Sequence, residues 1–140
     1  MAGEGNVATV ERSIELINRG EVEAAVDVLF ARDAVDHDPA PGQGPGRPGF
    51  LAFFQGLTTG FPDLRMRPRL VTANEDHVSV AFTVSGTHTG PFLDAPPTGR
   101  AFRVSGVEVF RFADGRVAER WGLTDDMGIL VQLGLVDPPH

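Results

Sequence analysis

The side chains able to move a proton or hold an anion gather near the C-terminal end: Glu108 in VSGVEVF, Arg120 in RVAERWGL, then Asp125 and Asp126 in succession. A carboxyl group against an apolar wall is pushed toward neutrality and can act as acid or base, while a guanidinium in the same hollow can hold a carbonyl or phenolate oxygen. A second group is Asp36-His37-Asp38, and His88 stands alone in GTHTG. Each also has a purely structural reading. Glu108 and Arg120 form a reasonable cross-strand ion pair, of little value if exposed and costly if buried. Asp125 and Asp126, placed between Thr124 and the apolar MGIL, suit a helix start, where carboxylates satisfy free backbone N–H groups. Asp36 and Asp38 can serve as turn formers around His37, and His88 can be a rim residue.

These groups must act within narrow limits of composition. The chain has 140 residues, one domain over 1–140, with a net charge of -7 and no cysteine. Excess acid without a basic stripe argues against nucleic acid or anionic membranes as partners, and the missing thiols exclude disulfides and thiolate nucleophiles. Four histidines without ligand-like spacing give no metal site. No apolar run approaches the roughly 20 residues of a membrane span and no signal-peptide h-region opens the chain, so a cytoplasmic location is expected.

The elements that must position the chemistry follow from periodicity. Val7, Val10, Ile14 and Ile17 fall at helical spacing, and Val22 to Phe30 repeats the pattern after Gly20. Residues 36–49 hold four prolines and four glycines and read as a long loop, a candidate lid or pocket rim. Helical spacing resumes from Phe50 to Leu57. Four segments, 65–73, 78–87, 101–112 and 116–124, are rich in β-branched and aromatic residues between turn signals. Helices followed by an antiparallel meander give an α+β fold with the helices on one face of the sheet.

The last two strands form a hairpin around FADGR. A three-residue loop with Gly115 left-handed sets Phe112 opposite Arg116, Glu108 opposite Arg120 and Gly106 opposite Gly122; a two-residue Asp-Gly turn would move the pairing by one. Alternation puts Phe102, Val104, Gly106, Glu108, Phe110, Arg120, Gly122 and Thr124 on one face, and Val107, Val109, Val117, Trp121 and Leu123 on the other. Both faces are apolar in part. Helices cover one, and the outer one is expected to pair with a second copy in a homodimer, Trp121 acting as an anchor.

The stretches VDHDPAPGQG, GTHTGPFLDAPPTGRAF, VFRFADGRVAERW and ILVQLG, in this order over nearly the whole chain, resemble the SnoaL-like polyketide cyclases of the NTF2-like superfamily. The resemblance implies a conical barrel in which a curved antiparallel sheet and N-terminal helices enclose an apolar cavity. It also implies a polycyclic aromatic polyketide of the anthracycline type as substrate, and an intramolecular aldol closure that uses no metal or organic cofactor. In the family an aspartate near the end of the last strand is the acid/base, aided by histidines. Counted back from QLG, that aspartate falls on Gly122 and its helper on Arg120; the histidine and glutamine of the preceding strand fall on Glu108 and Gly106. Two polar positions have become glycine, which is expected to enlarge the cavity, and two have become a potential ion pair.

Three functions follow as expectations. The first is a cofactor-independent hydroxylase of such a polyketide, served by a separate reductase, with Glu108, Arg120 and Asp125 as catalytic residues. The second is an aldol cyclase working through Glu108 or Asp125, and the third a non-catalytic carrier. Asp36, His37, Phe54, Phe82, His88, Phe110 and Gly122 are the expected ligand contacts, since flat rings stack well on aromatic side chains.

Overall fold

A computed structural model describes residues 2–138. Helix α1 (Ala2–Asn18) turns at Gly20, whose φ of 79° is open to glycine at little cost, into α2 (Val22–Leu29). Strand β1 (Phe30–Asp36), helix α3 (Gly46–Gly60), strands β2 (Arg65–Ala73), β3 (His77–Thr87), β4 (Ala101–Ala113) and β5 (Arg116–Thr124), and helix α4 (Asp126–Gln132) follow. The five strands form one curved, unclosed sheet in the order β1-β5-β4-β3-β2, with β1 parallel to β5 and every other pair antiparallel. The sheet is therefore mixed rather than antiparallel throughout. Strand β1 lies where the second helix and the long loop were expected to meet. Helix α3 begins within that loop because Pro48 falls in its first turn, where a missing N–H costs nothing.

Helix α1 lies along the sheet through its apolar stripe, burying Val10 and Ile17. Asn18 fastens it to β2, its amide donating to Met66 O at 2.9 Å and accepting from Met66 N at 2.7 Å. Phe30 stacks on Phe50, ring centres 3.8 Å apart, with the edge of Phe110 against Phe30 at 6.2 Å. A second aromatic group of Phe61, Phe92 and Phe102 packs under the β3–β4 connection.

The β4–β5 hairpin departs from expectation twice. Asp114 and Gly115 both have positive φ, 53° and 80°, making a two-residue loop that pairs Ala113 with Arg116. This is the primed turn that matches strand twist. A bulge then shifts the register: Phe112 pairs with Val117, Arg111 with Glu119, and Ala118 is the extra residue. Glu108 consequently faces Gly122, Phe110 faces Arg120, and Gly106 faces Thr124. Turn and bulge together move the register by two residues, so beyond Ala118 the sorting of side chains between faces is preserved. Val117, on the turn side of the bulge, belongs to the buried face instead of the outer one.

Candidate functional site

The inner face of the sheet, α3, α4 and the loop after β1 enclose an open cavity of about 330 Å³. Its walls are apolar, with Phe53, Phe54, Phe82 and Phe102 prominent, and its polar groups gather along the edge where β1 meets β5. At their centre is Arg120. Its Nε donates to Glu108 Oε2 at 3.0 Å and its Nη1 to Asp36 Oδ1 at 3.1 Å and to Asp38 O at 3.3 Å. The three side chains are 14 % (Arg120), 12 % (Glu108) and 8 % (Asp36) exposed, so this is a nearly dry trio of one cation and two carboxylates. Burial alone would weaken the guanidinium's hold on its proton, but the charges and hydrogen bonds of Glu108 and Asp36 together outweigh it and raise the pKa above the usual arginine value. Arg120 is a permanent cation.

Glu108 and Arg120 meet although they are not directly opposed, because they are diagonal neighbours on one face. Gly122 makes the diagonal possible. A Cβ at this position would stand 2.8 Å from Arg120 Nη2 and 3.0 Å from both Arg120 Cζ and Glu108 Cγ, so the guanidinium lies in the volume another residue's side chain would fill. Gly106 is similar: a Cβ there would be 2.5 Å from Phe82 Cζ. The two glycines therefore leave no extra room; one admits the arginine and the other the Phe82 ring.

The loop after β1 supports the trio from outside. Gln43 donates through Nε2 to Asp36 Oδ2 at 3.0 Å and accepts through Oε1 from Ala40 N at 3.0 Å. Asp38 Oδ2 accepts from Gly122 N at 2.9 Å, closing the loop onto β5. Guanidinium atoms Nε and Nη1 are thus committed to holding Arg120 in place. Among the described residues Nη2 has no hydrogen-bond acceptor, and it lies over Gly122 in the cavity wall. A fixed cation with an unused N–H pair can hold a ligand oxygen in which negative charge develops.

Of the residues read from the sequence, Asp36, Phe54, Phe82, Glu108, Arg120 and Gly122 line this cavity. Four others are placed elsewhere. His37 comes directly after β1 ends at Asp36 and faces the other way: its ring stacks on Trp121 at 4.7 Å, and Nε2 lies 3.0 Å from Glu119 Oε1 on the outer face. His88 is fully buried in the β3–β4 connection, where Nδ1 accepts from Thr98 N at 3.2 Å and lies 3.0 Å from Thr98 Oγ1, between Phe61 and Phe92. Phe110 packs edge-on against Phe30 and lines not this cavity but a small enclosed hollow of about 30 Å³ that shares Phe54, Phe82 and Glu108 with it. Asp125 caps α4, accepting from Gly128 N at 2.8 Å, and borders the outer face.

Asp38, Gln43 and Asp126 also line the cavity; the sequence reading named Asp38 and Asp126 as candidates without assigning either to the site, and did not single out Gln43. Two-residue alternation with Asp36 is a signal for Asp38. Nothing local marks Gln43. For Asp126 the deciding fact is which of two adjacent aspartates caps the helix. Partial burial and then the like charge of Asp125 push the Asp126 carboxyl up, with Arg120 opposing. Among the described residues no group of three or more His, Asp or Glu side chains is arranged to hold a metal ion, and no helix is long and apolar enough to cross a membrane.

Comparison with known proteins gives a consistent frame. Residues 7–133 match the profile of a family described as SnoaL-like polyketide cyclase. Among solved structures, IdmH from Streptomyces antibioticus, a proposed polyketide cyclase, is 33% identical with a TM-score of 0.78, covering 92% of this chain and 98% of its own. AclR from Streptomyces galilaeus, a proposed hydroxylase, is 26% identical with a TM-score of 0.83, covering 96% and 84%. TsrD from Streptomyces laurentii is 26% identical with a TM-score of 0.80, covering 92% and 97%. No curated protein matches the chain in sequence comparison.

Proposed function

Because the chain belongs to the SnoaL-like polyketide cyclase family, we propose that it is a tailoring enzyme that hydroxylates a polycyclic aromatic polyketide of the anthracycline type without a metal or organic cofactor. The observation that carries this reading is the fixed Arg120 cation lying over Gly122, where the family resemblance places the aldol aspartate. Ring closure needs a base at that point, and an arginine cannot be one. It can hold the oxygen of an electron-rich anionic ring. The aromatic walls suit a flat ligand, and the volume is at the low end of the ~300–1,000 Å³ usual for small-molecule sites.

In this chemistry the reduced substrate, a hydroquinone, supplies two electrons and two protons. Dioxygen places one oxygen on a ring carbon and releases the other as water, leaving the hydroxylated quinone; a separate reductase would regenerate the hydroquinone level. The protein's part is to exclude water, orient the ring and hold the developing negative oxygen on Arg120 Nη2. The test is to incubate purified protein with a chemically reduced anthraquinone ester under ¹⁸O₂. Labelled hydroxylated product that depends on the protein is expected; its absence would overturn the reading. A second reading, aldol closure, is favoured by one observation: Glu108 Oε1 has no hydrogen-bond partner among the described residues. It requires ring closure of an uncyclised ester that is lost in Glu108→Gln.

The outer sheet face belongs to the same proposal. Leu123 is 74% exposed there and Val107 more than half exposed beside the Trp121 groove, with Leu70 exposed further along the sheet on β2, an apolar surface that fits a homodimer formed sheet to sheet. Sedimentation should give a dimer that Leu123→Glu converts to a monomer.

A further inference from the structure

Four carboxylates line the cavity: Asp36, Asp38, Glu108 and Asp126. Three have fixed partners. Asp36 holds Arg120 and Gln43, Glu108 holds Arg120, and Asp38 accepts from Gly122 N. Asp126 is the exception: among the described residues its carboxylate has neither a hydrogen bond nor an ion pair, because Asp125 has taken the helix cap.

Building on the hydroxylase reading above, we propose that Asp126 is the cavity's proton acceptor and donor, taking the proton from a hydroxyl or acidified C–H of the bound polycyclic ligand. The electron pair left behind stays on the ligand and spreads onto the ring oxygen held by Arg120 Nη2. The carboxylic acid then returns its proton to the product oxygen, or releases it to solvent at the cavity's open rim, where Asp126 is exposed. The charged groups acting on it suit this task. Asp125, next in the chain, and partial desolvation favour the protonated form, while Arg120 favours the carboxylate, which leaves the group able to exchange a proton in either direction. The same role serves deprotonation before attack on dioxygen and deprotonation before an aldol step.

Two probes isolate it: 2-hydroxyanthraquinone, which can offer a proton to Asp126, and 2-methoxyanthraquinone, which cannot. By calorimetric titration the wild-type protein should prefer the hydroxyl probe by roughly tenfold, the worth of one hydrogen bond to a charged acceptor. Asp126→Asn, a neutral acceptor in place of the carboxylate, should cut the preference sharply, Asp126→Glu should restore it, and Asp125→Ala, which removes the α4 cap, should lower thermal stability while the preference persists. Binding of both probes with an undiminished preference in Asp126→Asn would overturn this inference alone. Failure of both probes to bind wild-type protein would overturn the polycyclic-ligand reading, and this inference with it.

Discussion

The β4–β5 hairpin carries an arginine–carboxylate cluster on each face, and the two differ in almost every physical respect. Inside, Arg120 lies between Glu108 and Asp36, nearly dry, with its pKa raised. Outside, Arg111 and His37 both reach Glu119 beside the Trp121 ring, each side chain about a third exposed. The outer pairs hold Glu119 below the usual carboxylate value, chiefly through the Arg111 hydrogen bond and then that of His37. Similar residue types on strands one position apart thus give a fixed internal cation in one case and a screened surface contact in the other. What separates them is the dielectric around each, set by the side of the sheet they occupy.

Removing Arg120 should have the largest effect, since it would strand two buried carboxylates. Arg120→Met is expected to cost about 3–5 kcal/mol in denaturant unfolding, the usual result of breaking a buried pair from one side, and to abolish product formation. A loss under about 1 kcal/mol would place the trio in the same class as a surface pair.

Gly122→Ala comes next. Its methyl group would fall within 3.0 Å of the guanidinium, so a cost of about 1–3 kcal/mol is expected, as for overpacking elsewhere. Ligand affinity should fall further than stability because the displaced atom is Nη2. Unchanged binding by calorimetry would show that Nη2 is not the ligand's donor.

Asp126→Asn should act in the opposite direction on stability. Its folded pKa lies above the unfolded 3.8, so the ionised carboxylate opposes folding. The penalty is absent below the unfolded value and grows as pH rises through it toward the raised folded value. The variant should therefore melt slightly higher than wild type at neutral pH and equal to it in acid. A lower melting point at neutral pH would contradict this sign.

The smallest effect belongs to Glu119→Gln on the outer face. With its folded pKa below the unfolded 4.5, Glu119 contributes stability above that value, and the contribution disappears as pH falls through the folded value. Melting curves in rising salt should erase the difference between variant and wild type, whereas the Arg120→Met difference should persist.

Much of this contrast was legible in the residues, and the remainder fails for physical reasons. The four strands after residue 64 stand out because alternation and turn signals agree, and β2 and β5 have the expected bounds. Strand β1 was hidden because FARDAVD is short, charged and placed between a helix and a proline-rich loop. Its parity, fixed only by parallel pairing with β5, is what sends Asp36 inward and His37 outward. The Glu108–Arg120 contact emerged from the wrong register, since the alternative two-residue Asp-Gly turn formed in place of the three-residue loop and an unforeseen bulge followed it, each shifting the pairing by one. A bulge at Ala118 leaves no local mark in sequence. The roles of Asp125 and Asp126 depend on one residue of helix phase, less than periodicity can resolve.

The most direct test of the Arg120 claim is a crystal structure with 2-hydroxyanthraquinone bound. The expected result is a ligand oxygen about 2.9 Å from Arg120 Nη2, the ring against Phe54 and Phe82, and the Glu108 and Asp36 contacts intact. A ring seated on the outer Trp121 face, or inside the cavity with its oxygens turned away from Nη2, would contradict it.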